Sequence, residues 1–149
     1  MRFALYDRRA AVLYAHRWDC FLHRMGAGEG RGPLHDILPY DRGAAVHYAH
    51  RWAYDRNPAY YDFSELGGDC TNFASQCIYA GSGVMNFTPT FGWYYIDPDQ
   101  KAPAWTGVPY LYNFLVREEK TEGPAAHPCE LGDLRPGDLI QLSFDGENF

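Results

Sequence analysis

Cys70 is the residue whose type and setting best suit covalent chemistry. It follows Gly67, Gly68 and Asp69, and the residues after it predict a helix from Cys70 to about Ala80 that stops at Gly81. Unpaired N–H groups at a helix N-terminus stabilise a thiolate and the oxyanion of a tetrahedral intermediate. The pattern therefore suits acyl transfer through a thioester, and the alternative is a small buried cysteine that begins a helix.

Three polar neighbours are candidates to support this thiol. Asp69 is expected to cap the helix, and it could also shape the oxyanion site or hold a substrate amine. Asn72 and Gln76 either support the site or belong to an ordinary polar helix surface. Cys77 falls on the apolar side of the helix and is expected in the core.

The long segment 81–109 contains a group of aromatic residues that could line a substrate groove. Trp93, Tyr94 and Trp105 are the candidates within this segment, which is also rich in Gly, Pro and Thr. Loops of this length in a compact domain are often functional. Packing of the same rings in the core is the alternative.

The histidines offer neither an obvious catalytic base nor a metal site. His127 lies in a proline-flanked loop and is a weak alternative base. His47 and His50 share a helix face at a spacing that can hold a metal, but no Cys or carboxylate cluster accompanies them. We expect no metal and no cofactor, and a metal-binding helical protein stays a third, weaker hypothesis.

The sequence also contains a repeated segment, and each copy is predicted to be a helix. Residues 6–18 read YDRRAAVLYAHRW and residues 40–52 read YDRGAAVHYAHRW, which agree at eleven of thirteen positions. In the second copy Asp41 can cap the helix, and Ala45, Tyr48, Ala49 and Trp52 form an apolar stripe. We assign this copy to the core. The first copy and the Gly-rich linker 26–33 form an extension over residues 1–35.

The remaining elements are assigned to one domain over residues 36–149, which we expect to lack its C-terminal strands. A further helix is predicted at about Val108 to Glu118, with Leu111, Phe114 and Leu115 buried. Alternation of apolar and polar residues over 139–144 predicts a half-buried strand, and Asp145-Gly146 predicts a hairpin turn after it.

Composition excludes several classes of protein. The chain has 149 residues, 46% of them hydrophobic and 21% charged, which indicates a folded domain. A net charge of −6 without a basic stripe argues against nucleic acid as a partner. No apolar run is long enough to span a bilayer, and charges interrupt any signal-peptide core near the N-terminus. Four scattered cysteines indicate free thiols; the compartment stays open, with the cytoplasm as the default expectation.

Several segments together resemble the putative amidase domain family of bacteria. They occur in that family's order over about Leu38 to Leu142: YDRGAAVHYAHRWAYDRNPAYYDF, GGDCTNFASQC, AGSGVMN, GWYY, PAWTGVPYLYNFL and PGDLIQL. The family is similar to the CHAP amidases and the NlpC-type peptidases. The resemblance implies an α+β, papain-like fold in which the nucleophile helix packs on a small antiparallel sheet, with Cys70 as nucleophile.

The resemblance also implies an activity and a substrate class. It implies a cysteine-dependent C–N hydrolase acting on a peptide or amide substrate, with cell-wall peptidoglycan peptides as the class that the relatives suggest. The family's histidine follows the GDLIQL segment, and no histidine follows it in this sequence. We therefore expect impaired activity from this chain. The alternatives are a non-catalytic module that binds a peptide or glycan and a decayed enzyme fragment.

Overall fold

Four α-helices organise the part of the chain that the structure describes. In a computed structural model, residues 39–118 and 121–141 are described. The helices are α1 (Arg42–Trp52), α2 (Cys70–Ser82), α3 (Pro103–Thr106) and α4 (Val108–Leu115), with 3-10 turns at Ser64–Leu66 and Leu131–Asp133. The short α3 was not predicted from the sequence.

Helix α1 begins and packs as its sequence predicts. The Asp41 carboxylate accepts a hydrogen bond from Ala44 N at 2.9 Å, which satisfies one of the unpaired donors at the helix N-terminus. Ala45 and Ala49 are buried, and the helix packs against α2. The first copy of this sequence, and with it the predicted extension 1–35, lies outside the described residues.

Helix α2 lies very close to the segment that leads into α1. Asp41 N donates to Gly81 O at 2.9 Å, and a Cβ added to Gly81 would lie 2.4 Å from the Tyr40 ring. The predicted stop at Gly81 is wrong by two residues. Gly83, with φ +69°, adopts the left-handed conformation that ends the helix, and its N–H donates to Tyr79 O.

The core is largely aromatic. Trp93 and Trp105 are fully buried with their ring centroids 5.0 Å apart, and Phe114 stacks on Trp93 at 6.0 Å. The predicted third helix is confirmed as α4, which ends at Leu115 rather than near Glu118. Its three predicted core residues, Leu111, Phe114 and Leu115, are buried.

The prediction of an α+β fold, with the nucleophile helix on a small antiparallel sheet, is wrong. Within residues 39–118 and 121–141 the chain is helical, and β pairing is limited to two isolated bridges, Asn86–Trp93 and Tyr95–Lys101. The strand predicted over 139–144 has no ladder in its described part, 139–141, where Gln141 Nε2 donates to Val108 O at 3.0 Å. Alternation predicts one buried side of an extended segment, but a strand also needs a partner.

The remainder of that strand and the hairpin turn at 145–146 lie outside the described residues. None of the helices in the described part of the chain combines the length and apolarity that crossing a bilayer requires.

Candidate functional site

Cys70 is the first residue of α2 and is exposed. Its Sγ lies 3.9 Å from Thr71 Oγ1. Asp69 occupies the N-cap position, but its side chain accepts none of the first N–H groups of the helix. The prediction that Asp69 caps α2 through its carboxylate is therefore wrong. The donors at the start of α2 receive no side-chain cap and point to the end of the helix that carries the thiol.

Gly67 and Gly68 bring the chain to this helix end in a conformation that other residues rarely adopt. Their φ angles are +108° and +120°, and a Cβ added to either would meet no atom within 4 Å. Glycine is thus required here by the backbone and not by crowding. The space beside both glycines is open.

The Asp69 carboxylate holds the preceding loop to α2 instead of capping it. Its Oδ1 accepts from Asn72 Nδ2 at 2.8 Å and from Phe63 N at 3.1 Å. Its Oδ2 accepts from Arg56 Nη1 at 2.7 Å. The Arg56 guanidinium also contacts Asp62 at 2.5 Å and Ser64 Oγ at 2.6 Å. An ion pair and charge-assisted hydrogen bonds therefore fix the segment that leads into Cys70.

Asn72 joins this loop to the aromatic core. Its Nδ2 also donates to Tyr61 O at 3.0 Å, and its Oδ1 accepts from Trp105 Nε1 at 2.8 Å. Asn72 is 1% exposed, so these bonds are made away from water. The Asn72 side chain therefore holds the loop to the core and is not accessible to solvent.

Ser75 likewise connects α2 to the aromatic core, and this role was not predicted from the sequence. Its hydroxyl accepts from Trp93 Nε1 at 3.0 Å and donates to Trp105 O at 2.9 Å, and the residue is fully buried. Buried indole N–H groups require partners. The available signal was the spacing: Asn72, Ser75 and Gln76 are polar residues at i, i+3 and i+4 on one side of a helix.

Gln76 connects α2 to α1. Its Oε1 accepts from the Tyr48 hydroxyl at 2.8 Å, and that hydroxyl accepts from Asn57 Nδ2 at 2.8 Å. Burial raises the pKa of the Tyr48 phenol, so this group stays a neutral donor. Burial likewise raises the pKa of the Cys77 thiol to about 12, which keeps Cys77 protonated and unreactive near neutral pH.

A small cleft lies at this junction, with room for about one water molecule rather than for a drug-sized ligand. Its lining combines the loop before α2 with the buried polar face of that helix: Asp55, Arg56, Asn57, Tyr60, Tyr61, Asp69, Asn72, Phe73 and Gln76. Three predicted site residues, Asp69, Asn72 and Gln76, thus line one cleft.

The structure does not place the three aromatic residues that were predicted to line a groove together at that cleft. Trp93 and Trp105 are 0% exposed and pack in the core, in agreement with the core alternative. Tyr94 is half-buried and stacks on the exposed Phe87 ring, with centroids 5.2 Å apart.

Comparison with known proteins then places the chain in a family. The sequence model of the family described as "Putative amidase domain" matches residues 39–149, well over half of the chain. The chain belongs to this amidase domain family. The name of the family points to amide hydrolysis at a general level. The more specific likeness to CHAP amidases and NlpC-type peptidases stays a prediction.

A relative of this amidase domain occurs in Bacillus subtilis (strain 168). "Uncharacterized protein YhbB" from that organism is 34% identical over 94 residues, which are 62% of this chain and 29% of that protein. The chain thus spans less than a third of the relative's length. No solved structure matches the chain.

The histidines of the amidase domain lie away from the thiol in the described residues. His47 and His50 are exposed on α1, His127 is exposed after α4, and none is within hydrogen-bond distance of Cys70 Sγ. In the same residues, no group of three or more His, Cys, Asp or Glu side chains could hold a metal ion.

Proposed function

We propose that this domain is a cysteine-dependent amidase in which Cys70 is the nucleophile. The observation that carries the proposal is the exposed thiol at the first residue of α2, where the N-cap side chain leaves the helix N–H groups to another acceptor. Membership of an amidase domain family supports the same reaction class. A thiolate beside a helix N-terminus is the setting that activates cysteine for acyl transfer.

The reaction follows from this geometry. The Cys70 thiolate attacks an amide carbonyl carbon, and the carbonyl oxygen becomes an oxyanion that the N–H groups at the start of α2 stabilise. The C–N bond then breaks as the nitrogen takes a proton from solvent water, and the neutral amine leaves. Water hydrolyses the resulting thioester to a carboxylic acid and regenerates the thiol. We assign no general base among the described residues.

Asp69, Asn72 and Gln76 act as positioning residues in this proposal. Asp69 and Asn72 hold the loop 61–69 against α2, and Gln76 holds α1 and Asn57 through the Tyr48 hydroxyl. Because the Asp69 carboxylate is already engaged by Arg56, Asn72 and Phe63 N, holding a substrate amine is a less suitable role for it.

The proposed substrate class is an amide in a peptide, with peptidoglycan peptides as the specific case. Support for peptidoglycan comes from the resemblance to cell-wall amidases alone.

An activated acyl donor tests the nucleophile without requiring a complete catalytic cycle. We expect p-nitrophenyl acetate to give a stoichiometric burst of nitrophenolate with the wild-type chain and with the Cys129→Ser control, but not with Cys70→Ser. Mass spectrometry should find the acetyl thioester on the peptide that contains Cys70. A burst that survives in Cys70→Ser would overturn the assignment. Release of new amino groups from soluble peptidoglycan fragments then tests the substrate class separately.

A non-catalytic module that binds a peptide or glycan is the second candidate. The observation that favours it is the absence of any described histidine within hydrogen-bond distance of Cys70 Sγ. Retention of the wild-type chain on insoluble peptidoglycan, together with no burst from the acyl donor, would select this candidate.

A further inference from the structure

The two differences between the repeated segments fall at exposed positions of α1. Residues 6–18 match residues 40–52 except that Arg9 corresponds to Gly43 and Leu13 corresponds to His47. Gly43 and His47 are both exposed in the folded chain. Both differences therefore lie away from the buried side of α1, although a Cβ at position 43 would lie 3.2 Å from Asp41 Oδ1.

The contacts that hold α1 in place come from positions that the repeat preserves. Ala45 and Ala49 are buried where α1 packs against α2, and the Tyr48 hydroxyl donates to Gln76 Oε1 at 2.8 Å. Asp41 caps α1 through Ala44 N and donates its own N–H to Gly81 O. The same residue types recur in the first copy, as Asp7, Ala11, Tyr14 and Ala15.

The two residues that flank the α1 cap, Tyr40 and Arg42, also recur in the first copy. Tyr40 packs its ring against Gly81, where a Cβ would lie 2.4 Å away. Arg42 forms an ion pair with the buried Asp138 carboxylate and donates to Pro136 O at 3.3 Å. The first copy repeats both residues, as Tyr6 and Arg8. Each of these side chains that seat α1 on the rest of the fold thus occurs twice in the chain.

We propose that residues 6–18 of the same chain can replace α1 on α2. The proposal is independent of the reaction proposed for Cys70. Residues 19–39 separate the two copies in the sequence, and a segment of this length is long enough, when extended, for either copy to reach the same place. When the first copy is seated, residues 19–52 form a closed loop that returns to Ala53.

Loop closure decides which copy predominates. Closing the loop 19–52 costs conformational entropy that the contiguous helix α1 does not require, although this cost grows only slowly with loop length. The α1 copy is therefore the major occupant and the first copy a minor one. The exchanged form should become the major form when α1 is damaged.

A charge placed at Ala49, which is buried in α1, and at the corresponding Ala15 of the first copy tests this exchange. We expect Ala15→Glu to leave the thermal unfolding midpoint unchanged and Ala49→Glu to lower it moderately. The double variant Ala15→Glu/Ala49→Glu should lower the thermal unfolding midpoint by far more than the sum of the two single changes, because neither copy can then pack on α2. Leu13→His combined with Ala49→Glu is the matched control, and it should behave as Ala49→Glu alone because the changed position is exposed in α1.

Hydrogen exchange distinguishes the two occupants directly, because the copies differ in mass at two positions. In Ala49→Glu, we expect slow amide exchange to move from the peptide 40–52 to the peptide 6–18. Loss of cooperative unfolding in Ala49→Glu, or equal midpoints for Ala49→Glu and the double variant, would overturn the proposal. A stability of Ala49→Glu that falls on dilution would also overturn the proposal, because a second molecule would then supply the helix that packs on α2.

Discussion

At the scale of single residues, Asn72 has the most demanding position in the described structure. Its side-chain Nδ2 donates to Tyr61 O and to the Asp69 carboxylate, both on the loop before α2. Its Oδ1 accepts from the Trp105 indole N–H in the core. A side chain without this amide would leave a buried indole N–H without an acceptor. Leaving a buried polar group unsatisfied costs about 1–3 kcal/mol, and truncation of the side chain also removes its packing against the core.

We therefore predict that Asn72→Ala lowers the free energy of unfolding by about 2–4 kcal/mol. Asn113→Ala is the matched control, since Asn113 is exposed on α4, and it should change the free energy by less than about 0.5 kcal/mol. Urea unfolding followed by tryptophan fluorescence measures both values. Equal stability of the two variants would mean that the Asn72 bonds contribute nothing to folding.

The sequence contained part of this residue-scale information. Polar residues at 72, 75 and 76 share the spacing of a buried helix face, and that spacing indicates partners in the core. The partners were not predictable, because Trp93 and Trp105 follow in a long irregular segment whose path the spacing does not determine. Both rings were equally compatible with a groove until their burial was known.

At the scale of elements, the packing of α1 on α2 is limited by Gly81. The Tyr40 ring and the Asp41 carbonyl lie where a Cβ would be, at 2.4 Å and 2.8 Å. The ring could rotate away, but the carbonyl belongs to the backbone at the start of α1. Additional atoms at such a close approach force the helices apart.

We predict that Gly81→Ala destabilises the chain by about 1–3 kcal/mol, even though alanine favours helix formation. Gly132→Ala is the control, because a Cβ there meets nothing within 4 Å and the φ angle is not left-handed. Thermal unfolding followed by circular dichroism compares the two variants. A midpoint for Gly81→Ala at or above that of the wild-type chain would show that α1 and α2 can separate without cost.

Elements defined by their own caps and stripes were predictable from the sequence. The Asp41 cap, the alanine stripe of α1 and the buried residues of α4 depend on neighbours within a few positions, and each was found as predicted. Asp69 was different, because Arg56, Phe63 N and Asn72 compete for its carboxylate. That competition comes from tertiary structure, so local capping preference could not predict it.

At the scale of the whole molecule, the aromatic core responds to alkaline pH. Tyr60 packs against the rings of Tyr95 and Trp105, at 5.1 Å and 5.8 Å between centroids. Burial, and to a lesser degree the nearby Tyr79 and Tyr95, raises the pKa of the Tyr60 phenol to about 12. The unfolded chain releases this proton near pH 10, but the folded chain holds it until about pH 12.

Stability from Tyr60 is therefore complete below about pH 10 and is lost as the pH rises towards about 12. We predict that the urea midpoint falls over this interval and that it falls less steeply in Tyr60→Phe. Tyr110→Phe is the control, since Tyr110 is 58% exposed, and it should keep the wild-type slope. Identical slopes for all three chains would contradict the contribution assigned to Tyr60.

The overall architecture was the least predictable level. The α+β prediction came from the family resemblance together with one alternating segment near the end of the chain, and the described residues 139–141 of that segment pair with no strand. Sheet formation depends on distant partners, whereas a helix satisfies its own backbone bonds. The helices were accessible from local patterns, whereas the aromatic core and the arrangement of the chain around it were not.

The central claim is that the N-terminus of α2 activates the Cys70 thiol. The most direct measurement is the rate of alkylation by iodoacetamide near neutral pH, followed for each thiol by peptide mass spectrometry. The matched reference is the Cys70→Ser/Asn113→Cys variant, whose new thiol lies at an exposed position away from any helix N-terminus. We predict that Cys70 reacts about tenfold faster than the Asn113→Cys thiol in the folded chains, and that the two rates become equal in urea. Equal or slower alkylation of Cys70 in the folded chain would contradict the claim.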